Sequence, residues 1–229
     1  RLFKKKKIKF YPLTRKEVNF LGNLNDLKNI INNYSPNFII NCIALTGIVY
    51  CQKKPKLAYK INAEIPFRIL KIIKKKNIKF IHFSTEAVFE GKILKKIYSE
   101  RDKALPTSVY GKSKLLADNK IIKQKNTFII RLPLLFGPTH QDQIVSKLLK
   151  KINKNETVHI STDVYSTPVY TPDLCKFVLN NCIRSQKILK KKIIHFSSNS
   201  RLSIFEFISL LLNKMKKKHL YKIIPVEDS

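Results

Sequence analysis

The chain has 229 residues, 44% hydrophobic and 27% charged. That is enough to bury one sizeable α/β core, and no apolar run approaches the ~18 residues that span a bilayer, so collagen-like, disordered and membrane-spanning classes are excluded. The formal net charge is +31, but 39 Lys, 31 Ile and 18 Asn reflect a bias of the whole chain; the lysines are scattered and form no stripe interleaved with aromatics, so no nucleic-acid partner is expected.

In chain order, short β-branched runs alternate with longer amphipathic stretches, which predicts βαβ units around a parallel sheet. Strands are expected at Ile8–Pro12, Phe38–Asn41, Ile78–Ser84, Thr127–Leu132 and Ile193–Ser197. Each is nearly continuous in apolar residues, as strands covered on both faces are. Helices are expected over Asn25–Asn33, Pro55–Lys75, Ser108–Lys123, Gln143–Lys151, Thr171–Ile183 and Ser203–Lys217. Pro66 should bend or divide the second of these. Thr171-Pro172-Asp173 and Ser203 have the residue types that start helices. Residues Phe205–Leu212 read as a core face, with a homodimer contact as the alternative.

The four cysteines (Cys42, Cys51, Cys175, Cys182) include no C-x-x-C pair and are expected to pack as small hydrophobes in a reducing, cytoplasmic compartment. His82 and His195 lie inside apolar strands and read as packed side chains. His140, His159 and His219 make no metal spacing with cysteines or carboxylates, so no metal is expected.

The chemistry concentrates in two segments. Ser84-Thr85-Glu86-Ala87-Val88-Phe89-Glu90-Gly91 follows the central strand, and Tyr110-Gly111-Lys112-Ser113-Lys114 opens the next helix. A Tyr and a Lys four apart share a helical face, where the ammonium is expected to lower the phenol's pKa. A hydroxyl from the strand end can hydrogen-bond the same substrate oxygen, which makes a proton-transfer site.

With these residues the chain resembles the extended short-chain dehydrogenase/reductases, and within them the dTDP-4-dehydrorhamnose reductase type. Further matching segments are Asn41-Cys42-Ile43-Ala44-Leu45-Thr46 beside the cofactor, Leu57-Ala58-Tyr59-Lys60-Ile61-Asn62-Ala63, Arg131-Leu132-Pro133-Leu134-Leu135-Phe136-Gly137-Pro138, and Ser166-Thr167-Pro168-Val169-Tyr170. The resemblance implies an α/β, Rossmann-like doubly wound parallel sheet over residues 1–138, and a small, mainly substrate-binding lobe over 139–229, with strand 193–197 free to return to the sheet. The five glycines are isolated, so the first strand and Gly-rich loop are missing from this chain. They are expected upstream of Arg1, with Ile8–Pro12 as the second strand.

The same resemblance implies Thr85, Tyr110 and Lys114 as catalytic residues. It implies Arg15, Cys42, Ala44, Ser84, Tyr110, Lys114 and Pro133 at an NADP cofactor, with NAD as the alternative, because Thr14-Arg15-Lys16 offers cations where a ribose diol would meet an acid. Thr85, Glu86, Val88, Phe89, Thr167 and Tyr170 are implied at a nucleotide-sugar substrate. The expected activity is NAD(P)H-dependent reduction of a nucleotide-linked 4-keto-6-deoxy sugar in polysaccharide biosynthesis. The Glu86-Ala87 pair lacks the second acid that a dehydratase carries. A non-catalytic NAD(P)-binding regulatory subunit and a nucleotide-sugar epimerase stay open as alternatives.

Overall fold

A computed structural model describes residues 2–91, 96–138, 143–215 and 223–227. His140, His219 and the last two residues of the expected 203–217 helix lie outside the described residues. In chain order the elements are α1 (Leu2–Lys5), α2 (Asn25–Tyr34), β1 (Phe38–Asn41), α3 (Ile48–Lys53), α4 (Pro55–Tyr59), α5 (Ile65–Ile73), β2 (Lys79–Thr85), α6 (Val109–Ile121), β3 (Thr127–Leu132) and β4 (Leu135–Phe136). There follow α7 (Ile144–Asn153), β5 (Val158–Ser161), β6 (Tyr165–Ser166), β7 (Val169–Tyr170), α8 (Thr171–Phe177), β8 (Ile193–His195), β9 (Leu202–Ser203), α9 (Ile204–Lys214) and β10 (Ile223–Val226).

The elements fall into two units. The first comprises Arg1–Gly91, Ile97–Arg131 and Lys176–His195. Its sheet has the order β1-β2-β3-β8, with β1 parallel to β2 and β3 parallel to β8. The strands are apolar on both faces because both are covered: Phe80, Ile81, Ile129 and Ile130 are fully buried. Leu27, Ile31, Ile65, Ile69 and Ile73 close one face against Phe80 and Ile129. The second unit contains Leu132–Cys175 and Phe196–Ser229. In it β5 and β10 pair in parallel, and Val145, Ile152 and Ile160 pack with Phe207, Ile208 and Leu212 of α9. The Ser203 hydroxyl and the Glu206 carboxylate complete a reciprocal cap at the start of α9.

Several expectations need correction. Ile8–Pro12 is not a strand: no strand among the described residues pairs with it, and Phe10 and Tyr11 stay exposed, Tyr11 resting on the Tyr34 ring at 4.3 Å. Apolar residues supply a strand's faces, whereas its existence depends on a hydrogen-bonded neighbour. The long helix predicted from Pro55 divides, as Pro66 requires, but the path stays helical. Residues Lys60–Glu64 widen into a π-turn, with the Ile65 N–H donating to the Lys60 carbonyl. Pro66 has no N–H to give to the carbonyl four residues back, so the wider spacing precedes it. A second π-turn, Val178–Arg184, follows α8. It breaks the seven-residue spacing of Cys175 and Cys182: Cys182 is buried and Cys175 exposed, as are Cys51 and Cys42 respectively. The Thr171 hydroxyl donates to the Phe136 carbonyl and does not cap its own helix.

Candidate functional site

The site is built where β2 ends and α6 begins. Thr85 is extended (φ −141°, ψ 154°), and its hydroxyl oxygen accepts the Ala87 N–H at 3.2 Å, which turns the chain into a short 3₁₀ segment, Glu86–Val88. Ser108 caps α6 by accepting the Gly111 N–H at 3.1 Å. Gly111 is required by contact: a β-carbon there would stand 2.0 Å from the Ala87 carbonyl oxygen. That closeness brings the first turn of α6 against the end of β2.

Three expected catalytic side chains meet there. Burial pushes the Tyr110 pKa up, and the neighbouring Thr85 hydroxyl opposes that shift. Lys114 lies one turn further along α6 and is 1% exposed. Its ammonium donates to the Phe83 carbonyl and lies 3.2 Å from His82 Nε2. Burial lowers the Lys114 pKa to about 8, against the opposing pull of Asp118 and Cys42. The expected lowering of the phenol's pKa by Lys114 is not found: burial raises it, and Thr85, not Lys114, opposes the rise.

Ser84, expected at the cofactor, and several polar side chains not expected at the site hold this cluster. His82 is fully buried, with Nδ1 2.8 Å from Asn41 Nδ2, and burial followed by the adjacent Lys114 pushes its pKa well down. The Ser84 hydroxyl donates to Asp118 Oδ2 at 3.0 Å, and Arg131 Nε pairs with the same oxygen at 3.1 Å. Burial raises the Asp118 pKa while Arg131 opposes it. Asn62, inside the first π-turn, accepts the Leu45 N–H and donates to the Leu45 carbonyl and to Ser113 Oγ. Ser113 in turn donates to the Tyr110 carbonyl. A signal for Asp118 was present: Tyr110, Lys114 and Asp118 continue one four-residue spacing, and an acid on a lysine-rich helix stripe needs a partner. His82 and Asn62 interrupt apolar runs, which marks burial but not their partners.

The other expected residues divide. In the first unit, Cys42 is exposed and Ala44 half-buried beyond the end of β1, and Glu86 is exposed beside Thr85. Arg15 is exposed in a turn where Thr14 holds the Glu17 carboxylate. Val88 and Phe89 are buried; Phe89 stacks on Tyr98 at 4.5 Å, with the Arg131 guanidinium 5.3 Å from its ring. Pro133, Thr167 and Tyr170 belong to the second unit, where Tyr170 is 40% exposed and its ring lies 5.4 Å from that of Phe136.

The first unit has the C-terminal ends of parallel β1 and β2 beside a buried ammonium and a phenol, the arrangement that suits the nicotinamide ribose of a dinucleotide. The chain's residues fit that half of the cofactor. The sequence contains no G-x-x-G-x-x-G turn to cradle the pyrophosphate. A separate cavity of about 320 Å³, lined by Lys79, Asn126, Phe128, Gln186 and Lys192, lies at the opposite end of β2. Among the described residues no His, Cys, Asp or Glu cluster could hold a metal ion, and no helix is long and apolar enough to cross a membrane.

Comparison with known proteins follows this geometry. The family model described as RmlD substrate binding domain matches residues 1–229. The spore coat polysaccharide biosynthesis protein SpsK of Bacillus subtilis is 27% identical over 205 residues, 88% of this chain and 69% of that protein. The structure of a dTDP-4-dehydrorhamnose reductase from Clostridium acetobutylicum superposes with a TM-score of 0.85 at 25% identity, covering 99% of this chain and 78% of that one. The dTDP-4-dehydrorhamnose reductase of Bacillus anthracis, in complex with NADP, gives a TM-score of 0.85 at 23% identity, over 97% of this chain and 77% of that one.

Proposed function

The chain belongs to the RmlD substrate binding domain family, and from that premise we propose that it is an NADPH-dependent reductase of a nucleotide-linked 4-keto-6-deoxy sugar, of the dTDP-4-dehydrorhamnose reductase type, serving polysaccharide synthesis. The observation that carries this reading is the placement of Thr85 at the end of β2 beside the start of α6, whose Tyr110 phenol it influences and whose next turn holds the buried Lys114. The likeness to SpsK and to the two dTDP-4-dehydrorhamnose reductases supports it.

In this reading Lys114 and Tyr110 hold the nicotinamide ribose. Cys42, Ala44 and Ser84 would line the cofactor from the first unit and Arg15 would supply a cation for its 2′-phosphate, with Pro133 assigned to it separately in the second unit. The reduced nicotinamide supplies the hydride, which no amino-acid side chain can. The protein's part is the proton. A phenol whose pKa stands above its usual value is protonated near neutrality, so Tyr110 Oη can donate to the C4 oxygen as negative charge develops there. Thr85 serves twice: its hydroxyl orients the carbonyl before transfer and, as a donor to Tyr110, stabilises the phenolate left afterwards. For the sugar nucleotide the reading assigns Glu86, Val88 and Phe89 in the first unit and, separately, Thr167 and Tyr170 in the second.

The test follows NADPH absorbance with the full chain and a dTDP-linked 4-keto-6-deoxy sugar, beside Tyr110→Phe. Oxidation of NADPH that falls at least about 100-fold in the variant supports the reductase and the acid together. NADPH binding without turnover of any keto sugar overturns the reading.

A further inference from the structure

Lys114 has a buried neighbour, His82, with no part in the proposed reduction. His82 is fully enclosed in the middle of β2, and a neutral imidazole must present one N–H and one lone pair. The Asn41 amide fixes which is which. Asn41 Oδ1 accepts the Ile43 N–H at 3.1 Å, so the amide's NH₂ is the end that faces His82, 2.8 Å from Nδ1. An NH₂ group can only donate, so Nδ1 is the acceptor and the ring proton sits on Nε2. That N–H points at Lys114 Nζ, 3.2 Å away. An ammonium has no lone pair to receive it, whereas a neutral amine has one.

We propose that His82 is a positioning residue for Lys114: locked by Asn41 as the Nε2–H tautomer, it offers an N–H to Nζ and so shifts Lys114 toward the uncharged amine. The inference rests on the reductase reading for its catalytic meaning, but the tautomer itself does not depend on that reading. Protonating Lys114 forces a choice between two costs. Either Nε2–H confronts an ammonium, or the ring proton moves to Nδ1 and confronts the Asn41 NH₂; turning that amide would set NH₂ against the Ile43 N–H. In a buried site none of these is relieved by water.

The groups that bear on Lys114 come from every element around it. His82 and the Phe83 carbonyl face it from β2, Cys42 from beyond β1, and Asp118 from α6 itself, with Arg131 of β3 paired to Asp118 and Tyr110 one turn away. Phe83 O, Asp118 and Cys42 favour the ammonium, so the His82 N–H is the polar contact that opposes it. The fall of the Lys114 pKa to about 8 through burial has the same direction.

The test is ¹⁵N-edited NMR of the full chain without cofactor, resolving the two ring nitrogens of His82 by their couplings to the ring protons, together with a titration of the Lys114 ε-methylene. The wild-type spectrum is expected to show Nε2–H. In Asn41→Leu, which adds no charge, the lock is gone; the ring is expected to move to the Nδ1–H tautomer and the Lys114 titration to rise by about one pH unit. The corresponding limb of the kcat–pH profile moves with it, with little change in KM for NADPH. A wild-type ring protonated on Nδ1, or a Lys114 titration unmoved in folded Asn41→Leu, overturns the inference. If no keto sugar is reduced, the reductase reading fails, while the ring-nitrogen spectrum still decides the tautomer.

Discussion

Gly111 faces the Ala87 carbonyl so closely that no side chain fits between them: an added β-carbon would lie 2.0 Å from that oxygen and 2.8 Å from Pro106 Cβ. Because Ala87 belongs to the turn that Thr85 starts, the contact sets how near Tyr110 comes to Thr85. Gly111→Ala must push the start of α6 away from backbone that cannot yield. We expect a loss of about 1–3 kcal/mol in stability and a fall in kcat larger than thermal unfolding explains. Denaturant melts beside steady-state rates would check both.

Arg131 and Asp118 form a buried pair, 6% and 1% exposed. Arg131→Met leaves Asp118 in the core without its cation, with Oδ1 already lacking a hydrogen-bond partner. The expected cost is about 3–5 kcal/mol. Adding Asp118→Leu should recover part of it, leaving Ser84 without its acceptor. A double-mutant cycle by urea denaturation measures the coupling.

The Lys114 ammonium, lowered from 10.5 to about 8 by burial, gives the folded state a pH dependence of known sign. Between these values the unfolded chain holds the proton and the folded chain does not, so unfolding takes up a proton and stability rises with pH across about 8 to 10.5. Below about 8 the penalty of the buried charge is present in full. The difference in unfolding free energy between wild type and Lys114→Met should therefore change in favour of wild type over that window, by a few kcal/mol at most. Equal pH slopes for the two proteins would refute it.

Thr85→Val keeps shape and removes the hydroxyl that lowers the Tyr110 pKa. The phenol's titration, followed by ultraviolet absorbance, should move further upward, and kcat should fall by about 10–100-fold with a smaller change in KM.

The sheet and its helices were legible wherever burial on both faces leaves continuous apolar runs: Phe38–Asn41 and Thr127–Leu132 stand within their expected bounds, and Ile78–Ser84 is displaced by one residue. Ile8–Pro12 shows the limit, because pairing is a property of a neighbour and not of the run itself. The placement of Thr85 at a strand end and of Tyr110 and Lys114 one turn apart on α6 was legible because both follow from local geometry alone. Asn41, His82 and Asn62 could not, since their bonds join positions 41, 32 and 51 residues apart in sequence. The short strands β4, β6, β7 and β9, two residues each, carry too few side chains to show any period.

The Asn62 side chain makes the loop beyond β1 and the first turn of α6 move as one. Leu45 N and O, Asn62, Ser113 and the Tyr110 carbonyl form an unbroken relay of four bonds between 2.7 and 3.1 Å. A ligand anchored at the phenol is therefore expected to slow opening of the loop at Leu45. Amide exchange at Leu45 becomes a remote gauge of occupancy at Tyr110, readable without any chemical turnover.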